Sequence, residues 1–306
     1  MVPTTDVALL PFLSQAQAPL TCEVTAVNEH GEQISVAIPA ERALTVYVDK
    51  RELVTLMTLG AHPELLVLGY LHNQRLIKST EEIESITVDW DVGAAAVKTR
   101  RGIANIEEKT AQRVVTTGCG QGSVFGGLMD EVDQIKLPTD ARISQSQLYA
   151  LVNTIRLKET TYKSAGSVHA CALFALNGDE PEMLLFVEDV GRHNAIDTIA
   201  GWMSMNSHSL PLHQREGKAE GRGEGSPIPD RNNPLAFYTT GRLTSEMVIK
   251  SAQMCVPIVV SRSGITQMGH QVATQVGLCA IGRATNKRFV CYTSQQRLVL
   301  QPALAA

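Results

Sequence analysis

A chain of 306 residues, 44% hydrophobic and 19% charged, is long enough for one large or two smaller folded units and has a water-soluble composition. Its 27 lysines and arginines against 31 aspartates and glutamates leave a formal net charge of -4, so no overall basic field draws it to nucleic acid. With no apolar run near membrane-span length, no basic stretch in Met1-Val2-Pro3-Thr4-Thr5-Asp6 and no paired spacing among Cys22, Cys119, Cys171, Cys255, Cys279 and Cys291, the expectation is a reducing, cytoplasmic setting without membrane, secretory signal or bound metal.

Residues 1–20 read as a flexible leader rich in Pro, Ala and Gln. Alternating patterns at 22–27, 33–38, 43–48 and 52–57 predict strands. Residues 62–76 predict a helix with Leu65, Leu66, Leu68, Gly69 and Leu76 on one apolar face and Pro63 in its first turn. Another strand pair is expected at 83–90 and 92–99, then a short polar helix near 106–113. Together these form a smaller β-rich N-terminal subdomain spanning 21–136.

That subdomain closes on the run Thr116-Thr117-Gly118-Cys119-Gly120-Gln121-Gly122-Ser123, followed by Val124-Phe125-Gly126-Gly127. Most cysteines are small buried hydrophobes. Here the surrounding glycines favour an open backbone, rich in free N–H groups, that presents a sulfur. The thiolate is the reactive form, so Cys119 is a candidate nucleophile.

From 137 to 306 the pattern becomes α/β. A helix capped by Ser144 or Ser146 runs through 157, and a hairpin at 168–176 and 183–187 turns at Asn177-Gly178-Asp179. Helices at 195–203, 244–254 and 265–276 then alternate with strands at 235–240, 258–261, 278–281 and 288–293. Residues 206–233 interrupt them with a polar stretch that has too few apolar side chains to fold, so a disordered insert is expected. His208 and His213 inside it read as solvated.

Four junctions in this half concentrate polar chemistry. Glu188-Asp189-Val190-Gly191-Arg192-His193-Asn194-Ala195-Ile196-Asp197 follows an apolar strand and opens a helix, where free N–H donors collect. An internal ion-pair network would explain its charges; the convergence of so many polar groups favours ligand contact by Asp189, Arg192 and His193. Gly241-Arg242, ahead of Thr244 and Glu246, repeats the geometry, and an arginine there suits phosphate or carboxylate. Thr244 as N-cap and Glu246 beside the helix dipole have sufficient structural reasons of their own. Ser261-Arg262-Ser263-Gly264 is the third junction. The fourth, Arg283, Ala284, Thr285, Asn286, Lys287 and Arg288, reads equally as an exposed hairpin tip or a ligand site. Jointly the four favour a polyanion such as a nucleotide. His169 near Cys171 lacks the companion ligands of the zinc deaminases, and Cys171, Cys255, Cys279 and Cys291 read as core.

These motifs, with Gly166-Ser167-Val168-His169-Ala170 and Glu246-Met247-Val248 through Lys250, resemble the FdhD family, the sulfurtransferases that mature formate dehydrogenase. The resemblance implies a cytidine-deaminase-like core without zinc and a homodimer. It also implies a cytoplasmic protein that accepts sulfur from an IscS-type cysteine desulfurase as a Cys119 persulfide. The acceptor implied is the molybdenum or tungsten bis-molybdopterin guanine dinucleotide of formate dehydrogenase, with GDP as a mimic. The family's cofactor-binding segment falls on Arg283 through Arg288. Well-known members have Cys-Gly-x-Cys in the reactive loop; Gly122 occupies the second cysteine position here, which excludes a two-cysteine mechanism within that loop. Gln74 stands where many members have glutamate. The rival reading is a cofactor chaperone that moves no sulfur; a nucleotide-modifying enzyme on the same scaffold is disfavoured by the missing zinc ligands.

Overall fold

The computed structural model describes residues 10–103, 114–115, 122–123, 132–158, 160–206 and 234–305. In chain order the first half contains β1 (Phe12–Leu13), β2 (Thr21–Val27), β3 (Gln33–Pro39), β4 (Arg42–Val48), β5 (Arg51–Thr58), helix α1 (Pro63–Asn73), β6 (Ile83–Asp89) and β7 (Ala94–Thr99). Two short strands follow, β8 (Val114–Val115) and β9 (Gly122–Ser123), paired antiparallel. The main N-terminal sheet has the order β1-β6-β7-β4-β5, while β2 and β3 form a separate hairpin. Alternation turns Leu44, Val46 and Val48 inward, where they pack with Ile86, Val97, Leu66 and Leu71. The predicted strands therefore form, each within about two residues of its expected bounds.

Two expectations in this half give way. Residues 12–13, expected in a loose leader, pair in parallel with Ser85 and Ile86, and Ser14 Oγ and Ala16 N donate to Glu64 Oε1. A buried carboxylate on α1 thus draws the preceding chain onto the sheet edge. Helix α1 is also buried on nearly every side, because it lies between its own sheet and a second helix. It stops at Asn73: Arg75 takes a left-handed conformation (φ 57°), and the Leu76 N–H returns to the Leu71 carbonyl, leaving Leu76 outside the helix.

The second half contains β10 (Ile143–Ser144), α2 (Gln145–Lys158), α3 (Thr160–Ala165), β11 (His169–Ala175), β12 (Glu182–Asp189), α4 (Arg192–Met205), β13 (Leu235–Thr239), α5 (Ser245–Gln253), β14 (Ile258–Ser261), α6 (Gln267–Gln275), β15 (Cys279–Thr285), β16 (Arg288–Cys291) and β17 (Leu298–Val299). Ser144 caps α2 reciprocally with Gln147, each side chain meeting the other's backbone N–H. The large sheet has the order β12-β11-β13-β14-β15-β16. Strands β13, β14 and β15 run parallel, with α5 and α6 as their connections. One face packs Leu173, Phe237 and Val259 against Ile196, Val248 and Val272 of helices α4, α5 and α6. The other packs Phe174, Tyr238 and Val260 against Leu148 and Leu151 of α2. The fold is mixed α/β.

The two halves meet backbone to backbone where α1 crosses α4. A Cβ added to Gly69 would fall 1.7 Å from the Asp197 carbonyl oxygen, and one added to Gly201 would fall 2.0 Å from that of Leu65. Glycine is required at both, since interhelical distance is set by the side chains at the contact. The expected polar helix near 106–113, most of the Cys119 loop and positions 207–233 of the expected insert lie outside the described residues.

Candidate functional site

Sheet topology brings all four polar junctions to one edge. Strands β12, β13, β14 and β15 end there, and the antiparallel β11 begins there, with His169 opposite Asp189 and Cys171 opposite Thr239. The loops after β13 and β14 are stitched together: Ser261 Oγ donates to the Gly241 carbonyl at 2.7 Å and Ser263 Oγ to that of Thr240 at 2.9 Å. The Arg283 N–H continues the row to the Ser263 carbonyl at 2.6 Å.

Within the decapeptide, the side chains divide into two groups. Asp189 turns inward, and its carboxylate accepts from Thr58 Oγ1, the Leu59 and Gly191 N–H groups and Asn194 Nδ2. Burial pushes its pKa up, while these four bonds favour the charged form. Asn194 Nδ2 also donates to the Met57 carbonyl, so both residues tie the end of β5 to this loop. Glu188 accepts from the Thr161 and Tyr162 N–H groups and thereby caps α3. The carboxylate of Asp189, expected at a ligand, is instead engaged by the protein's own donors.

His193 is likewise buried. Its Nε2 lies 3.3 Å from Glu246 Oε2 without hydrogen-bond alignment, and desolvation, then Lys250, Arg192 and His169, push its pKa down to about 2. It is a neutral imidazole, so its contribution to this cluster is not a cation. Behind it Lys250 Nζ meets Asp197 at 2.9 Å and Glu246 at 3.5 Å. Burial opposes the ammonium charge, but Asp197 and Glu246 outweigh it and hold Lys250 protonated. Asn73 of α1 donates to Asp197 at 2.6 Å, extending this chain of polar groups into the N-terminal half. Glu246 thus faces a buried network rather than acting only through the helix dipole. Thr244 occupies the N-cap position of α5, but its hydroxyl makes no cap bond.

Arg192 behaves differently. It is 5% exposed, yet its guanidinium makes no hydrogen bond or ion pair with any described residue, and Nε is fully buried. Its aliphatic stem passes under Gly241, where a Cβ would lie 2.8 Å from Arg192 Cδ. Arg242 projects into solvent on the same edge. Desolvation lowers the His169 pKa first, with Arg192 and Arg242 adding to the effect, which places both cations beside a neutral imidazole. Cys171 is buried, its thiol pushed up to about 12 by desolvation, as expected of a core cysteine. A cation at a helix N-terminus, beneath a glycine turn and without a partner among the described residues, is chemically an anion receptor.

The fourth junction forms the tip between β15 and β16. Arg283, Thr285, Asn286, Lys287 and Arg288 are exposed, whereas Ala284 packs into the core at 1% exposure and offers no side chain to a ligand. Arg283 and Asn286 adopt left-handed φ values of 52° and 49°. A groove of about 740 Å³ runs beside the tip, lined by Arg283, Lys287 and Arg288 with Tyr149 and Phe289. The two rings are 6.2 Å apart and tilted. Tyr149, from α2, joins a cation cluster remote from it in sequence and carries no local signal of that role.

The profile of the FdhD/NarQ family matches residues 39–299, a span that holds every candidate residue described above. The chain belongs to the FdhD/NarQ family. Among its FdhD relatives, the sulfur carrier protein FdhD of Bacillus subtilis (strain 168) is 29% identical over 283 residues, covering 90% of this chain and 98% of that protein. The sulfur carrier protein FdhD of Bacillus pumilus (strain SAFR-032) is 30% identical over 259 residues, covering 84% and 88%. A crystal structure from Desulfotalea psychrophila, described as a formate dehydrogenase accessory protein, shares the fold with a TM-score of 0.66 at 21% identity, covering 92% of this chain and all of that one. Cys119, the FdhD-like reactive cysteine expected from the sequence, lies outside the described residues.

Proposed function

We propose that this chain is a sulfur carrier in the maturation of formate dehydrogenase, with Cys119 as the sulfur-bearing residue and the strand-end edge as the seat of a guanine dinucleotide cofactor. The observation that carries the second part is the guanidinium of Arg192 beneath Gly241, its Nε buried and without a partner among the described residues. A buried charge without a partner is costly to the fold, and an anionic ligand offsets that cost. Arg242 and the cations of 283–288 extend positive charge along the same edge, matching the several phosphates of a molybdenum or tungsten bis-molybdopterin guanine dinucleotide. Tyr149 and Phe289 supply aromatic surface suited to a purine.

Family membership and the names of the relatives support the sulfur chemistry. In that reading the Cys119 thiolate attacks the outer sulfur of a persulfide on an IscS-type cysteine desulfurase. A new S–S bond forms at Cys119 while the desulfurase cysteine leaves as thiolate. Cys119 would later surrender the outer sulfur as a sulfane atom to the cofactor, the substrate of the step, and return to a thiolate. Two electrons from the reduced metal of that cofactor would make the atom a sulfide ligand. Gly122 supplies no second thiol, so release does not proceed by closing a disulfide within the loop. A cytoplasmic homodimer with a zinc-free, cytidine-deaminase-like core belongs to the same proposal.

The glycine at 122 also favours one alternative, a chaperone that grips the cofactor without moving sulfur. Incubation with a desulfurase and radiolabelled cysteine, followed by peptide mapping, separates the two. Sulfur relay requires label on the Cys119 peptide and requires that Cys119→Ala lose dehydrogenase maturation while retaining GDP binding. Normal maturation by Cys119→Ala would replace it with the chaperone.

A further inference from the structure

Strands β15 and β16, which carry the cationic tip, also carry two cysteines. Ile281 pairs with Cys291 at the end of the ladder, the Tyr292 N–H bonds the Ala280 carbonyl just beyond it, and Cys279 lies two residues before Ile281 on the same face of β15. Cys279 and Cys291 are therefore diagonal neighbours on one face of an antiparallel pair. Their Sγ atoms lie 3.8 Å apart, in direct contact. Cys279 is fully buried; Cys291 is half-buried on the edge strand of the sheet.

The two thiols are unequal. Their mutual contact lowers the pKa of Cys291 and, together with burial, raises that of Cys279, while Cys291 Sγ also reaches the Thr293 carbonyl at 3.5 Å. Cys291, the more exposed of the two, is therefore the one an oxidant reaches first, with Cys279 placed behind it as the resolving thiol. Bond formation requires the sulfurs to close to about 2.05 Å. Among the described residues β16 is the terminal strand of the sheet, and Cys291 lies at its end, where the pairing with β15 stops.

We propose that Cys279 and Cys291 form a peroxide-sensitive dithiol whose oxidation to a disulfide staples β15 to β16 and fixes the 283–288 tip. The Cys291 thiolate attacks one oxygen of hydrogen peroxide, giving a sulfenic acid and hydroxide. Cys279 then attacks the Cys291 sulfur and expels the second oxygen. In sum, two thiols and one peroxide become one disulfide and two waters. A dithiol reductant reverses the crosslink through a mixed disulfide. The tip is thereby placed under redox control whatever ligand it holds.

The test uses the full-length reduced protein and needs neither cofactor nor dehydrogenase. The native chain is treated with hydrogen peroxide, its free thiols are alkylated, and the digest is mapped by mass spectrometry. The expected result is a linked peptide pair carrying Cys279 and Cys291, lost after dithiothreitol and absent from Cys291→Ser and Cys279→Ala. Amide exchange across residues 280–291 should slow on oxidation. Recovery of both cysteines as alkylated thiols overturns the proposal, as does Cys291 ending as a sulfinic acid beside a free Cys279. Exchange unchanged by the crosslink overturns the control of the tip.

Discussion

Arg192 threads beneath Gly241 so closely that a single added methyl carbon on the glycine would stand 2.8 Å from Arg192 Cδ. Nothing among the described residues neutralises that guanidinium. Stability and binding therefore pull in opposite directions at this position. Arg192→Met keeps most of the stem and removes the charge; it should stabilise the ligand-free protein, by about 1 kcal/mol or more, the desolvation cost of an unsatisfied buried donor. The same variant should bind GDP at least about tenfold more weakly, the loss of one charge-assisted contact. Calorimetric titration and thermal unfolding read both effects. A destabilised Arg192→Met with undiminished GDP affinity would make the residue purely structural.

Asp189 carries the opposite prediction. Its carboxylate is the shared acceptor for four donors, two of them from Thr58 and Leu59 in the N-terminal half. Asp189→Ala leaves those donors buried and unsatisfied, which should cost about 3–5 kcal/mol. Asp189→Asn should recover little, because its amide sets N–H groups against a ring of donors. Urea unfolding measures both. A loss confined to GDP binding, with stability unchanged, would return Asp189 to the ligand site.

The contrast between these neighbours marks what the sequence makes legible. Polar density after an apolar strand locates the decapeptide, and alternation places the strands that aim it. Direction within the decapeptide is another matter. Thr58, which pairs with Asp189, is 131 residues away, and no local pattern announces that contact. Asn73 and Lys250 meet Asp197 across gaps of 124 and 53 residues. Ala284 sits inside a cationic run but alternates into the core, a consequence of strand pleat that charge counting misses. Arg75, in a left-handed conformation at the end of α1, stops a helix whose apolar pattern continues to Leu76. Periodicity reads buried faces well; it does not say which of several polar groups find partners far along the chain.

His193 gives the site a pH signature. Its folded pKa of about 2 lies below the ordinary 6.5, so the unfolded chain takes up a proton that the folded protein refuses. Stability present above 6.5 is consequently lost as pH falls, with a slope approaching ~1.4 kcal/mol per pH unit for this one group. His62, His72 and His169, also lowered by burial, share that sign. Asp189, raised by burial, has the opposite one: protonation favours its folded state as pH falls. Unfolding free energy measured at and just below neutrality should fall less steeply for His193→Asn than for the parent. Parallel slopes would mean that the imidazole is hydrated or already charged in the native protein.

Lys250 supplies the sharpest energetic test of the buried network. It is fully enclosed, with Nζ 2.9 Å from Asp197 Oδ1, 3.0 Å from Oδ2 and 3.5 Å from Glu246 Oε1. One cation thus compensates two carboxylates where water does not reach them. Lys250→Met fills a similar volume but strands both acids, and should cost about 3–5 kcal/mol. Asp197→Asn added to it removes one of the stranded charges and still accepts from Asn73, so the double variant should be more stable than Lys250→Met alone. The two substitutions share a direct contact, so their effects should be non-additive by about 0.5–3 kcal/mol in a double-mutant cycle. Additive losses would show that Lys250 acts through packing of its methylenes against α1 and α4. A recovery in the double variant instead assigns the loss to charge left without a partner, and makes this network the electrostatic link between the two halves of the fold.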